Sequence, residues 1–355
     1  MMRRSRHEPP GKQELARSRI ARHGTAAWSS PEWHADAVMW LDEQLATAGI
    51  HRHGDVEQPH LRPWATVLRV PTSAGPVWLK AAGPGTAFEV GLYDLLARIA
   101  PGHVLTPLAS DPERGWILLP DGGLPIGERL AGTELTTALV DALGQYGQLQ
   151  RELATHVDEL LSLGVADMRP AVMLDRFDEA LEVTGAAIDG RGGTADATHA
   201  RVAAMRPTFA RWCWQLGESR VPVSLDHNDL HPWNILGTGV ATFYDWGDSV
   251  VAHSFAAMLV PLGFVQRLLD AKLDDPAFLR ARSTYLEGFA HTSGEEDLGA
   301  TLELACRVAK VARALTWNRA LQAARDDGEE IDDDWVRAPL DSVASLLDES
   351  YLGGA

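Results

Sequence analysis

Three side chains in one short stretch have the types and spacing for phosphoryl chemistry. Asp229 lies five residues before Asn234, and Asp245 follows eleven residues after that amide. His227 stands two residues ahead of Asp229, and Gly247 two residues past Asp245. A hydroxyl that attacks a phosphoryl group needs a carboxylate to orient it and accept its proton, and Asp229 can do both. Magnesium takes hard oxygen ligands in near-octahedral geometry. The Asn234 amide and the Asp245 carboxylate offer two without excess negative charge beside a triphosphate. Gly247 would let the backbone turn sharply behind that carboxylate. Each piece alone is common. The plain alternative is an Asn/Asp/His-rich turn whose side chains cap their own backbone.

The flanking segments must hold these groups in place. Val221 to Leu225 reads as a buried strand entering the loop, and Ala241 to Tyr244 as a second apolar run delivering Asp245. Upstream, Trp64 to Val70 and Val77 to Ala81 read as strands around a turn at 71–76. The second strand carries Lys80 among apolar neighbours, where a lone lysine is ordinarily solvated. Glu89 follows nine residues on and opens a helical pattern of Phe88, Leu92, Leu95, Leu96 and Ile99. By itself it reads as a first-turn acid facing the helix dipole. Gly115 to Gly123 reads as a strand running into a turn.

In this order, the strand lysine, the helical acid, His-x-Asp-x-x-x-x-Asn and Asp-Trp-Gly resemble the aminoglycoside phosphotransferase family, the small-molecule branch of the kinase-like fold. The resemblance covers roughly residues 60–325, with its specific motifs in 227–247. It implies an α+β, protein-kinase-like bilobal fold with a small β-rich N-lobe and a larger, mostly helical C-lobe. Residues 1–50 would form an N-terminal extension with a helix, 51–120 the nucleotide-binding lobe, and 121–355 the lobe with the catalytic loop and substrate-binding helices. The implied reaction is in-line transfer of the γ-phosphoryl group of ATP, with Mg²⁺, to a hydroxyl of a small molecule. That acceptor would be an aminoglycoside-like antibiotic, an amino sugar or a related metabolite, and GTP is the alternative donor. The resemblance makes Asp229 catalytic, and Asn234 and Asp245 the metal ligands. It sets Lys80 on the α/β-phosphates with Glu89 holding it, His227 as a brace of the loop, and Gly247 in support. The adenine would meet the inter-lobe hinge at about Leu119 to Gly122, which includes Asp121. A catalytically silent nucleotide-binding module of the same fold competes with this reading. The complete set of Lys80, Asp229, Asn234 and Asp245 weighs against it.

Several stretches depart from the family pattern. Residues 57–66, ahead of Lys80, contain no glycine, so Thr66 and Arg62 stand as the candidates to touch the phosphates. Gly83-Pro-Gly85 is no Walker loop, because no Gly-Lys-Ser/Thr follows. No Ala-Pro-Glu occurs after Asp245, and Asn228 occupies the place of the arginine that reads a phosphorylated activation loop in protein kinases. Both points argue against a protein substrate. Residues 252–259 lack the acids that many members carry there, which puts the local packing in question.

Composition bounds the partners. The 355 residues suffice for two lobes with their own cores. A formal net charge of −17 argues against nucleic acid and is compatible with a cationic acceptor. Cys213 and Cys306 are far apart and read as reduced, buried thiols. The basic start has no apolar segment behind it and is no secretory signal; residues 1–20 read as loosely attached. The uncharged run from Ser249 to Val265 falls just short of a membrane span and reads as buried core. No membrane partner and a cytoplasmic location are therefore expected, while the sequence is silent on oligomeric state.

Helical patterns are expected at 31–49, from 133 to 163, at 171–188, 197–216, 255–270, 277–290, 298–325 and 335–348. Asp167 to Pro170 reads as a loop, and Asp189 to Thr194 as a flexible connection. Residues 326–334 hold seven acids, read as a solvated loop capping the last helix, or more sharply as an acidic mouth for a polycationic acceptor. Glu287, Trp317 and Asn318 are candidates to line the acceptor pocket.

Overall fold

The structure, a computed structural model, describes residues 23–188 and 193–353. Five antiparallel strands form the N-terminal sheet: β1 (Glu57–Arg62), β2 (Ala65–Val70), β3 (Val77–Ala82), β4 (Ala109–Asp111) and β5 (Trp116–Pro120), in the order β1-β2-β3-β5-β4. Alternation sets its faces. Leu68, Val70, Val77, Leu79 and Leu118 point to one side and are buried there. Helix α1 (Pro31–Thr47) covers that side with Trp33, Trp40, Leu41 and Leu45. Its first turn is set by Pro31 and by Ser30, whose hydroxyl accepts the Trp33 amide at 3.2 Å. Trp33 and Trp40 meet Trp116 edge to face at 6.1 and 5.6 Å. The expected extension helix is thus packed on the first lobe.

Helix α2 (Phe88–Ile99) buries Val90, Leu92, Tyr93, Leu95 and Leu96, and among them Glu89. Beyond β5 the chain is mostly helical. The long helices are α3 (Gly132–Leu153), α4 (Met173–Ile188), α5 (Gly193–Ala203), α6 (Arg206–Gly217), α7 (Leu259–Leu269), α8 (Pro276–Leu286), α9 (Leu298–Asp326) and α10 (Asp333–Ala344). Two small sheets carry the site. One is β6 (Ala166–Met168), β10 (Val250–His253) and β7 (Val223–Asp226), in that spatial order; the other pairs β8 (Ile235–Leu236) with β9 (Thr242–Phe243). Residues 249–263 are buried almost throughout, as a core run must be.

Four sequence expectations change. Glu57–Arg62 is a strand, whereas strand was expected only from Trp64 onward; its Pro59 and polar residues suit the sheet edge it occupies. Residues 166–168 pair in parallel with β10, so the loop expected at 167–170 is in part a strand. The single helix expected at 133–163 breaks at a 3-10 turn, Ala154–His156. The one expected at 197–216 is two, because Pro207 in the first turn of α6 has no amide to continue a helix from α5. The connection expected at 189–194 falls largely, and the segment 1–20 wholly, outside the described residues. Among the described residues, no helix is long and apolar enough to cross a membrane.

Candidate active site

The cleft is built where β3, α2 and the two small sheets meet. In β3, Val77, Leu79 and Ala81 face the α1 side, so alternation turns Lys80 the other way. Its ammonium lies 2.8 and 2.6 Å from the two carboxylate oxygens of Glu89. It also lies 2.5 Å from Asp245 Oδ1. The Glu89 carboxylate in turn accepts the Trp246 amide at 2.9 Å. Burial pushes the Glu89 carboxyl up, with Lys80 opposing. Burial disfavours the charged Lys80, yet Asp245 and Glu89 outweigh it and hold the ammonium well above the usual lysine range.

β8 and β9 bring Asn234 and Asp245 together. Ile235 pairs with Phe243, and the Tyr244 amide donates to the Asn234 carbonyl at 3.3 Å, so Asn234 and Asp245 flank one end of the ladder. Asp245 adopts φ 64°, a left-handed conformation uncommon for a non-glycine residue. Its amide donates to the Tyr93 hydroxyl at 3.1 Å. The sharp conformation expected of Gly247 therefore falls on Asp245. Gly247 is needed for close approach instead: a Cβ there would sit 3.2 Å from Glu89 Oε2. The Asn234 side-chain NH₂ donates to the Asp229 carbonyl at 2.9 Å, so its amide oxygen is the atom that could serve a metal. One amide oxygen and one half-exposed carboxylate are a donor set that fits Mg²⁺ carried in by a nucleotide.

Asp229 sits at the centre of a second set. Arg313 of α9 lies 3.3 Å from its Oδ1, and His231 lies 3.3 Å from its Oδ2. Arg313 also donates to the Asn228 carbonyl at 2.6 Å. Burial works against the Asp229 carboxylate, but the His231 hydrogen bond and the Arg313 charge prevail and hold it well below the usual range. His231 is raised, since the pull of Asp229 exceeds the burial that opposes it. His227 is buried and its Nε2 donates to the Tyr244 carbonyl at 3.0 Å, tying the loop before Asp229 to the strand before Asp245. Its own amide donates to the Tyr146 hydroxyl of α3 at 2.8 Å.

Asp229, Asp245, Lys80, Gly247 and Asp248 line one cavity of about 180 Å³ with Arg313, Thr316, Trp317 and Ala320 of α9. Those four helical residues recur at positions three and four apart and so share a face. Burial, with the charges of Asp229 and Asp245, pushes the Asp248 carboxyl up to about 7. Arg313, His231 and Asp248 were absent from the sequence-derived site. His231, two residues from Asp229, could have been found by spacing; Arg313 is delivered by a helix 84 residues away.

The remaining candidates divide. Thr66 has no exposed surface, and its hydroxyl bonds the His60 carbonyl and the Gln58 amide, each at 2.8 Å. It faces the sheet core, not the cleft; Val67 is the residue opposite Lys80 in the β2–β3 register. Arg62 lies over the Trp335 ring at 5.7 Å. At the inter-lobe connection Leu119 is buried and Asp121 accepts the Trp78 indole N–H at 2.8 Å. Trp317 lines the cavity, Glu287 and Asn318 do not, and Asn318 bonds Arg325. In the acidic loop Asp332 caps α10, and Glu329 accepts the Thr25 hydroxyl at 2.9 Å. Where residues 252–259 lack acids, His253 Nδ1 accepts the Phe255 amide and the Ser254 hydroxyl donates to the Pro222 carbonyl.

A family model described as "Phosphotransferase enzyme family" matches residues 56–256. The chain belongs to this family. It is a small-molecule kinase, a phosphotransferase with an alcohol group as acceptor. The match ends at 256, short of the 325 that the motifs implied. Among solved structures, the phosphotransferase resembles an ethanolamine kinase from Plasmodium vivax at 10% identity and TM-score 0.58, covering 99% of this chain and 98% of that one. It resembles a choline kinase from Streptococcus pneumoniae at 13% identity and TM-score 0.55, covering 87% and 99%. A macrolide 2'-phosphotransferase from Brachybacterium faecium aligns at 17% identity and TM-score 0.52, covering 86% and 97%. At these identities the likeness establishes the protein-kinase-like fold. No curated protein matches the sequence.

Proposed function

We propose that this phosphotransferase moves the γ-phosphoryl group of ATP to a hydroxyl of a small metabolite or antibiotic, with Asp229 as the catalytic carboxylate. The observation that carries the reading is the convergence of Asp229, Lys80 and Asp245 on one cavity. Residues 51–120 bind the nucleotide, with the adenine against the backbone at 119–122, and 121–355 carry the catalytic loop and acceptor side. Lys80, aligned by Glu89, holds the α/β-phosphates. Asn234 and Asp245 hold Mg²⁺, which neutralises charge on the phosphates when bound. The lowered acidity range of Asp229 makes it a carboxylate at neutral pH. Such a weak base orients the acceptor hydroxyl early and takes its proton late, as a loose transition state requires. Arg313 holds Asp229 in place at one oxygen and leaves the other to His231 and the acceptor.

The resembling ethanolamine, choline and macrolide kinases support a small hydroxyl acceptor. The net charge of −17 favours a cationic one. The test is mass-spectrometric: purified protein and Mg-ATP, offered amino alcohols, amino sugars, sugars, aminoglycosides and macrolides. One acceptor gaining a single phosphate is the expected result. Saturable Mg-ATP binding with no product from any class would contradict the proposal.

A further inference from the structure

We propose that Trp64, at the tip of the β1–β2 turn, closes the acceptor chamber and so restricts the reaction to small acceptors. This rests on the phosphotransferase reading of the cleft. The turn has no glycine and carries Pro63 and Trp64 at its tip. Its backbone is tied to the loop before α2: the Trp64 carbonyl accepts the Gly83 amide at 2.8 Å and the Thr86 hydroxyl at 3.2 Å. Its indole crosses to the other lobe. It meets Trp317 of α9 edge to face at 6.0 Å and Trp335 of α10 at 5.0 Å. Arg62, beside it, lies over the same Trp335 ring. Three indoles from three separate elements therefore join the N-terminal sheet to the last two long helices.

This junction forms one wall of the reaction chamber. Trp64 and Trp317 line the cavity that contains Asp229, Asp248 and Arg313, and with them Lys80 and Asp245 of the phosphate side. That space, about 180 Å³ for the phosphoryl end of the nucleotide and the acceptor together, is below the ~300–1,000 Å³ of sites that take drug-sized ligands. Beside a phosphoryl group it suits an acceptor on the scale of a short amino alcohol, and a multi-ring glycoside does not fit. Edge-to-face aromatic pairs are individually weak, so the indole can swing off Trp317 and Trp335 to admit an acceptor and settle again while the backbone stays tied. Settled, it keeps water from the phosphoryl group. Water in place of the acceptor would turn ATP into ADP, inorganic phosphate and a proton.

The experiment compares wild type, Trp64→Ala, Trp64→Phe and Trp335→Ala. Three quantities are read: Mg-ATP affinity, ADP release without acceptor, and transfer to ethanolamine, glucosamine and a three-ring aminoglycoside. Trp335→Ala leaves the cavity lining intact and guards against a folding defect in Trp64→Ala. The expectation is at least a ten-fold rise in acceptor-independent ADP release for both alanine variants. Trp64→Phe should stay near wild type, and Mg-ATP affinity should change less than three-fold throughout. Trp64→Ala should also gain transfer to the three-ring acceptor relative to the small ones. If wild type turns over and both alanine variants match it in ADP release and size preference, Trp64 is no lid, and the phosphotransferase reading stands. If wild type binds no Mg-ATP, that reading fails and the lid falls with it.

Discussion

The loop that carries Asp229 and the β1–β2 hairpin face each other across the cleft, and they are held in different ways. In the loop, side chains are fixed by hydrogen bonds and by the small sheet, and Asp229 by His231 beside it and Arg313 from α9. Asn234 bonds the Asp229 carbonyl, His227 bonds the Tyr244 carbonyl, and the β8–β9 ladder aligns Asn234 with Asp245. Tyr146 and Gln150 of α3 both donate to the Leu225 carbonyl from behind. In the hairpin, local hydrogen bonds set only the backbone, and the tip finds its place by packing Trp64 on the opposite lobe. The first arrangement suits a site that must be rigid before substrate arrives. The second suits an element that has to open and close around it.

The largest effects should fall on the rigid side. Lys80→Met leaves Glu89, only 1% exposed, as a buried charge without its partner. Breaking such a pair costs about 3–5 kcal/mol, measurable by denaturant unfolding, and Mg-ATP affinity should fall in parallel. Unchanged stability would mean that the ion pair is not what aligns this side.

Asp226→Asn tests the base of the same loop. Asp226 is buried, its Oδ1 accepts the Asn228 amide at 2.7 Å, and burial pushes its carboxyl up to about 7 from 3.8. The folded state thus holds the proton more tightly than the unfolded one. The group's stabilising contribution is complete below 3.8 and is lost as pH rises through about 7. Asn keeps the acceptor and cannot ionise. Unfolding measurements should find it more stable than wild type by about 2 kcal/mol near pH 8, with the difference vanishing towards low pH. An equal difference at every pH would contradict the buried-acid argument.

Smaller effects sharpen the hairpin side. A Cβ on Gly85 would lie 2.3 Å from the Arg319 carbonyl of α9, so Gly85→Ala must push the loop behind the tip away from that helix. A loss of about 1–3 kcal/mol in thermal or denaturant unfolding is expected. Thr66→Val removes two hydrogen bonds inside the sheet and should cost about 1 kcal/mol without moving the KM for ATP. A raised KM would return Thr66 to the phosphate site.

The same contrast explains what the chain disclosed before folding. Asp229, Asn234 and Asp245 were legible because the ladder that joins them is nearly local, and Lys80 because strand alternation isolates it among apolar neighbours. Thr66 misled by one position of strand parity, since burial and register turn Val67 rather than Thr66 toward Lys80. β1 was missed because an edge strand with Pro59 and few apolar residues carries no alternation signal. Arg313 carries no signal of its own within the helical pattern at 298–325. Its meaning came only from packing α9 against the loop.

The most direct test of the central claim is acceptor-dependent ADP release by wild type and Asp229→Asn, with Mg-ATP binding measured on both. The substitution keeps the shape of the side chain and removes its charge. The expected result is equal nucleotide binding and a loss of turnover of about 10²–10⁴-fold in the variant. Equal turnover in the two proteins would contradict the assignment of Asp229 as the catalytic carboxylate.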